Sequence, residues 1–488
     1  MKSSVCFVTA ELAPHAKAGG LADVSSALTQ ILHTRGHDLR IFLPLYADLD
    51  QREMSVETIH GLEDLSLTFG RHLFHYAIRR GRRGRGLPDL MLVDCPALYG
   101  RPGLYGNGDD EHLRFLLLSR AALETCLRLR FAPDVVHCHD WHTALVPLYL
   151  NAIYGAEPQF SRARSILTIH NLGYQGVLPH AVAGELGLGP AVTALDAGEA
   201  AGGRINLLRQ GIVDASIVST VSPTYAREIC TPELGMGLDD ALRARGDAVI
   251  GILNGVDTEV WDPARDAYLP FHYSPGAMQG KARMRTALCE RLGLGHDTVR
   301  PLVGMVTRLA WQKGIDLLAD VLPELLARQE LSLAVLGSGD PGLEEFFAGL
   351  EARHPGLVAF RRGQDEELAH WIEAGCDAFL MPSRYEPCGL NQMYSMRYGT
   401  VPVVRRTGGL ADSVQHFDPS TRDGTGIVFN DPDSNAVRWA LGRMCSLYVD
   451  RPAWTQMVSN GMARDFSWAA AADRYLGLYA DAATRPRR

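Results

Sequence analysis

No stretch of this 488-residue chain supplies what a membrane span, a disulfide scaffold or a compact zinc module needs. Its nine cysteines stand singly, and no C-x-x-C pair occurs. An odd, scattered set in a long chain argues against a disulfide framework and for a reducing compartment. No run approaches the roughly 18 apolar residues of a spanning helix. The first apolar run, residues 5–8, is too short for a signal-peptide core, and Glu11 soon follows it. Basic excess is also missing: 48 Lys and Arg stand against 56 Asp and Glu, for a net charge of −8. That removes the bulk electrostatic footprint of a nucleic-acid binder and leaves open only a local basic cleft. With 46% hydrophobic and 21% charged residues, the composition is that of a globular protein. The expectation is a cytoplasmic enzyme or binding protein, without nucleic acid or membrane as partner. Its length predicts two or three domains.

What the chain does have is a rhythm. VCFVTA reads as a strand, residues 21–35 as a helix stopped by Gly36, and LRIFLPL as the next strand. DVVHCH, ARSILTIH and ASIVSTV continue the pattern. Such alternation implies parallel sheets covered by helices on both faces. Residues 66–94 differ, alternating apolar and polar around the basic turn RRGRRGRG, and read as an antiparallel excursion. Residues 254–275, rich in Pro, Asp and aromatics, form the interdomain linker candidate. A second series follows, with PLVGMV, LSLAVLG, GLVAF, DAFLMP, VPVV and GIVF as strands. The expected fold class is α/β, with two doubly wound Rossmann-like domains facing across a deep cleft. Residues 1–255 form the first domain and 256–465 the second. The pattern FSWAAAADRYLGLYADAA predicts a long final helix, and residues 466–488 are expected to return to the first domain.

One motif occurs twice. KAGGLADV begins at Lys17, and RTGGLADS begins at Arg406. Paired glycines admit close approach by a ligand, and a helix N-terminus with a basic residue before it favours an anion. A tight strand-to-helix turn without any ligand is the plain alternative. Two copies, one per domain, favour a ligand at the carboxyl ends of the strands. Lys17, Gly19 and Gly20 are the candidates in the first copy, and Thr407 and Gly408 in the second.

Three further segments carry chemistry. In TRLAWQKGIDLL, Arg308 and Lys313 flank a turn and Gly314 is expected to open a helix. A planar fork of donors beside a point charge suits a diphosphate better than it suits a merely solvated turn. In SRYEPCGLNQMYSMRYGTVPVV, Glu386 sits in a turn before a helix expected to begin near Gly389. Cys388, Gly389, Leu390 and Asn391 lie where amides can meet phosphate. A carboxylate there is suited to sugar hydroxyls, with a simple helix-end charge as the alternative. TIHNLGYQG ends a strand with His170 and Asn171, facing the cleft. HCHDWH suggests zinc, but strand alternation sends neighbours to opposite faces and no second ligand cluster appears. The pairs Asp48/Asp50 and Asp431/Asp433 could hold a metal-bound diphosphate, but DPDS looks more like a helix cap.

These strings together resemble bacterial glycogen synthase and plant starch synthase across essentially the whole chain. The resemblance rests on KAGGLADV, HCHDWH, TIHNLGYQG, NGVD, TRLAWQKG, the long segment around Glu386 and the final FSW. It implies the glycosyltransferase-B fold and retaining transfer of glucose from ADP-glucose to the non-reducing end of an α-1,4-glucan such as glycogen. It implies no metal or other cofactor. Carried over by motif, Lys17, Arg308 and Lys313 look like the cations at the donor diphosphate. Glu386 looks like the carboxylate at the donor glucose, and His170 like the histidine near the transferred sugar. Asp140, Asn171 and Tyr105 look like sugar or acceptor contacts. Two positions bear on specificity. Gln364 stands where the family usually has an adenine-stacking aromatic, which leaves the preference for ADP over UDP open. Tyr394, eight residues past Glu386, fits the glycogen-synthase pattern rather than that of related E-x7-E transferases.

The expected chemistry is front-face attack with domain closure, since no confident carboxylate nucleophile is visible. Competing readings are a UDP-glucose enzyme of the same fold, a non-catalytic glucan-binding protein and a glucan phosphorylase. The last needs a pyridoxal-binding lysine that the sequence does not identify.

Overall fold

The computed structural model describes residues 2–52 and 54–485. The chain divides into two compact units. The first comprises Met1–Val221, Ala226–Ile252 and Trp468–Arg488; the second comprises Ser222–Tyr225 and Leu253–Ser467.

In the first unit, Ser4–Val8 is the central strand. It pairs in parallel with Asp38–Pro44 on one side and Val135–His139 on the other. Leu90–Asp94 extends the sheet beyond Asp38–Pro44, and Arg164–Ile169, Ile217–Thr220 and Val249–Gly251 extend it beyond Val135–His139. Numbered along the parallel core, the strand order is 3-2-1-4-5-6-7. Near-continuous apolar runs such as SVCFV are buried on both faces, as helix-covered parallel strands must be.

The antiparallel excursion is present. His72–Arg82 pairs antiparallel with Leu65–Phe69, Ser55–Thr58 and Leu90–Asp94. The basic stretch is not all turn, because Arg79 to Arg82 belong to the long strand. Arg83 is buried and donates from Nε to the Pro88 carbonyl at 2.9 Å.

The helix Trp468–Thr484 belongs to the first unit. Arg35, at the end of the helix Gly20–Thr34, bonds Asp473 on its surface. Tyr479 reaches the sheet and meets His137 Nδ1 at 2.9 Å.

In the second unit, Leu302–Val306 lies between Ser332–Gly337 and Ala378–Met381. Val358–Arg362 pairs outside Ser332–Gly337, while Val401–Arg405 and then Ile427–Phe429 follow Ala378–Met381. All these pairings are parallel, and the order is 3-2-1-4-5-6, the doubly wound dinucleotide-binding arrangement.

The stretch expected as a linker is packed instead. Asp266 is buried and accepts from His370 Nδ1 at 2.7 Å and the Tyr398 hydroxyl at 2.5 Å. Trp261 stacks between His370 and Tyr394, with ring centroids 3.7 and 3.8 Å away. Asp266 and Tyr273 are therefore core material of the second unit, with Trp261 packed half-buried beside them. Composition alone made them look like loop. Among the described residues, no helix is long and apolar enough to cross a membrane.

Candidate active site

Each sheet has one place where its strand order reverses. In the first unit it falls between Ser4–Val8 and Val135–His139, and in the second between Leu302–Val306 and Ala378–Met381. Loops leaving the carboxyl ends on either side of such a point diverge and leave a crevice for a ligand.

In the first unit, the loop after Ser4–Val8 carries Glu11 and Lys17. Glu11 is only 5% exposed. Its Oε2 accepts the amides of Ala18 at 2.9 Å and Gly19 at 2.8 Å, and its Oε1 accepts the Tyr105 hydroxyl at 2.5 Å. One carboxylate thus pins the Lys17 loop and the Tyr105 loop together. The Gly19 amide, expected to face an anion, is committed to Glu11. The space beside Gly19 is nonetheless open, since an added Cβ there would meet nothing within 4 Å. Gly20 begins the helix Gly20–Thr34. The Lys17 ammonium lies 3.0 Å from Asp23 of its own motif.

Asp140 follows the strand Val135–His139 with φ 54° and ψ −172°, a region that side chains avoid at a cost of roughly 1–3 kcal/mol. That backbone brings Oδ1 to the amides of His170 at 2.7 Å and Asn171 at 3.4 Å. Burial raises the Asp140 carboxyl to about 7, with Glu11 adding to the rise and the two amides opposing it. The ring of Tyr105 stacks on His142 with centroids 4.8 Å apart. Burial pushes its phenol up, so it stays a donor toward Glu11. His170 Nε2 sits 3.0 Å from His139 Nδ1. Burial lowers His170 and His142 each to about 3, so both rings are neutral near pH 7.

Asp140, His170, Asn171 and Tyr105, all named from sequence, are brought together here. Glu11 and His142 join them. Glu11 had a readable signal, a carboxylate directly after the first strand's carboxyl end, where ligands of this sheet type sit.

The histidines of HCHDWH have other duties. His137 and His139 are two apart in one strand, so they share a face, and their ring centroids are 4.2 Å apart. His137 Nε2 meets Thr168 Oγ1 at 2.7 Å while Nδ1 meets Tyr479, so both nitrogens serve the core. Among the described residues, no group of three or more His, Cys, Asp or Glu is arranged to hold a metal ion. Three of the four D-x-D aspartates are likewise engaged in structure, and Asp431 is exposed. Asp48 accepts the Gly103 amide at 2.6 Å, Asp50 bonds Arg52, and Asp433 caps the helix Ser434–Val449 through the Ala436 amide at 2.9 Å.

In the second unit, Glu386 is 5% exposed on the loop after Ala378–Met381. Its Oε2 accepts from Lys313 Nζ at 2.6 Å and Ser383 Oγ at 2.9 Å, bonds that leave Oε1 turned to other use. Arg308 is exposed on the neighbouring loop and donates to Gln312 Oε1 at 3.1 Å. Gln312 in turn accepts the Arg384 amide on its carbonyl at 2.8 Å. The two loops are therefore laced together beneath two cations and one carboxylate. Gly314 does not open an α-helix; it stands left-handed between the short 3₁₀ turns Trp311–Lys313 and Ile315–Leu318. An added Cβ there would lie 2.1 Å from the Pro382 carbonyl oxygen. The helix after Glu386 starts at Asn391, a little later than expected, and Gly389 and Leu390 precede it, half-buried. Asn391 Nδ2 donates to the Val306 carbonyl at 2.8 Å.

The second copy of the glycine motif has a different task from the first. A Cβ on Gly408 would lie 1.9 Å from the Glu386 carbonyl oxygen, and one on Gly409 would lie 2.0 Å from that of Cys388. The Gly409 amide donates to the Glu386 carbonyl at 3.0 Å. Thr407, Gly408 and Cys388 are buried against this turn. Arg406 does not reproduce the Lys17 pairing; it bonds Asn430 Oδ1 at 3.0 Å, while Asp412 accepts from Thr224. Gln364 is exposed two residues past the strand Val358–Arg362.

Two doubly wound sheets, a carboxylate braced by a lysine at one switch point, and a buried acidic and imidazole cluster at the other define a glycosyltransferase of the glycosyltransferase-B fold. Comparison with known proteins agrees. Residues 4–244 match the model of the starch synthase catalytic domain, and residues 290–457 that of glycosyl transferases group 1. The chain is 45% identical over 480 residues to a glycogen synthase of Anaeromyxobacter dehalogenans (strain 2CP-C), covering 97% of this chain and 98% of that protein. It is 44% identical over 482 residues to one of Myxococcus xanthus (strain DK1622), covering 98% and 99%. Among solved structures, the catalytic domain of Arabidopsis thaliana starch synthase IV, bound to ADP and acarbose, superposes with a TM-score of 0.90 at 36% identity, covering 99% of this chain and all of that one. The chain belongs to the glycogen synthase and starch synthase family.

Proposed function

We propose that this chain transfers glucose from ADP-glucose, with retention, to the non-reducing end of an α-1,4-glucan such as glycogen, releasing ADP. The observation that carries the reading is the Lys313–Glu386–Ser383 arrangement at a nucleotide-type switch point. Charge accumulates on the departing diphosphate as the bond to the anomeric carbon lengthens, and fixed cations stabilise it most. In the second unit Arg308 and Lys313 are assigned that role, with the amides near Gly389, Leu390 and Asn391 beside them; in the first unit it is assigned to Lys17, with Gly19 and Gly20 of the same motif. Glu386, its Oε2 held by Lys313 and Ser383, orients a donor hydroxyl through Oε1 and offsets positive charge on the sugar.

Retention through a covalent intermediate needs a carboxylate nucleophile. Asp140 is a poor one, because burial raises it to about 7, which leaves it only about half ionised near neutral pH, and its Oδ1 is bonded to backbone amides. We therefore assign front-face attack. The acceptor oxygen bonds the anomeric carbon as the carbon–phosphate oxygen bond breaks, and the acceptor proton passes to a phosphate oxygen of the leaving ADP. The neutral His170 ring, with Asp140, Asn171 and Tyr105, is assigned to the sugar. The fixed cations make a metal unnecessary in this scheme, and a reducing cytoplasm suits nine unpaired thiols.

The test is a competition of ADP-glucose against UDP-glucose with a glycogen primer, reading release of each nucleoside diphosphate. ADP release in excess is expected. UDP release in excess would make this a UDP-glucose enzyme, and no release of either would leave a binding protein.

A further inference from the structure

The loop that carries Lys313 also carries a large aromatic that the mechanism does not use. Trp311 is 65% exposed, although tryptophan is highly buried on average. Its indole is not loose. The Arg384 guanidinium lies over one face, 4.9 Å from the ring centroid. Arg384 is itself locked by a fork onto Asp316, at 2.5 and 2.8 Å, and by a bond to the Trp311 carbonyl at 3.3 Å. The backbone beneath is equally fixed. The Gly314 amide returns to the Trp311 carbonyl at 3.0 Å, and Gly314 abuts the Pro382 carbonyl, where no side chain fits. The result is a flat apolar plate with one face braced and the rest open to solvent, two residues from the lysine that holds Glu386.

We propose that Trp311 is a stacking platform for a sugar ring of the polymeric α-glucan. The inference rests on the functional reading above. Pyranose rings present patches of C–H bonds that pack on aromatic faces, and an immobilised ring binds without the ordering cost of a mobile one. The strand order favours sugar over nucleobase. Trp311 is bonded toward the loop after Ala378–Met381, which holds the sugar-reading Glu386. Ser332–Gly337 and Val358–Arg362 lie on the other side of Leu302–Val306. The arginine brace also explains why the plate tolerates exposure: cation–π contact satisfies the covered face without burying the open one.

The experiment compares Trp311→Ala, Trp311→Leu and Trp311→Phe in the full chain, reading both initial rates and retardation in glycogen-containing native gels. The alanine and leucine variants are expected to raise the glycogen concentration for half-saturation about tenfold and to lose most of the gel retardation. Phe is expected to restore both to within about threefold, because it keeps an aromatic face. The KM for ADP-glucose is expected to stay within about twofold. Unchanged glycogen dependence and retardation in Trp311→Ala would overturn the proposal. So would a loss confined to the ADP-glucose KM, which would make the plate a base-stacking one. A melting temperature matching wild type separates lost stacking from lost fold. Failure of the functional reading looks different: a wild-type protein that releases no nucleotide with any primer.

Discussion

The two copies of the glycine motif give opposite answers to the same substitution. In Gly408→Ala the new methyl carbon would stand 1.9 Å from the Glu386 carbonyl oxygen, whereas real Cβ contacts essentially never fall below 3.0 Å. The two groups must part by at least the difference, about 1.1 Å, and since the carbonyl is backbone and a Cβ is fixed by its own backbone, no side-chain rotation relieves the clash. Gly408 also has φ +43°, where alanine adds roughly 1–2 kcal/mol of strain. Misplacing a reacting group by about 1 Å costs on the order of 10²-fold in rate. Turnover by Gly408→Ala is therefore expected to fall about 100-fold or more. Gly19→Ala has open space and extended backbone at φ −156°, so it is expected to stay within about threefold unless its methyl meets the donor. The assay is ADP release from ADP-glucose with glycogen, with thermal melting as the control for folding. Wild-type turnover in a stably folded Gly408→Ala would refute the claim that this glycine positions Glu386.

Three further outcomes follow from the same geometry. Glu386→Gln keeps the shape but leaves Lys313 without its counter-charge; turnover is expected to fall by two or more orders of magnitude with ADP affinity, read by calorimetry, largely kept, as suits a group acting mainly in the transition state. Burial lowers His137, His142 and His170 each to about 3, so unfolding takes up protons on them between about pH 3 and 6.5 and stability falls as the solution is acidified through that window. Asp140, raised to about 7, and Glu373, raised to about 8, act oppositely as the pH falls toward the usual carboxylate range, but His139, also lowered by burial, joins the other three rings and the four outweigh the two carboxyls; the melting temperature is expected to drop from pH 7 to pH 5, and labelled-histidine NMR to show these rings neutral at pH 5. Dialysis against a chelator is expected to leave ADP release intact, and a loss restored by added divalent cation would replace the lysine and arginine scheme with a metal-assisted one.

Much of this architecture is legible in the sequence because parallel strands covered on both faces must be apolar throughout. VCFVTA, LSLAVLG and DAFLMP are readable for that reason, and the loops that follow them mark the switch points. Glu386, Lys313 and Asp140 were reachable because they follow such runs directly. Other features depend on what lies across space. Nothing local distinguishes Gly19 of the first motif, which faces open space, from Gly408 and Gly409 of the second, which face carbonyls. Residues 254–275 look like linker because Pro and Asp are usually solvated, yet Asp266 is buried by partners, His370 and Tyr398, about a hundred residues downstream. Glu11 shows in the sequence only its place, a carboxylate after the first strand's carboxyl end. Its meaning comes from three donors supplied by other positions.

The tie between His137 and Tyr479 sets an order on biosynthesis. The sheet that begins at Ser4 keeps a core imidazole waiting for a phenol that the ribosome adds only after the entire second unit has been made. At about 5–20 residues per second, that wait lasts tens of seconds, during which the strand Val135–His139 lacks the helix that covers it. The second unit, by contrast, has all its strands once residue 429 has emerged. The portion translated first is thus the last to be finished, and a nascent chain halted before residue 468 should engage chaperones through its amino-terminal half.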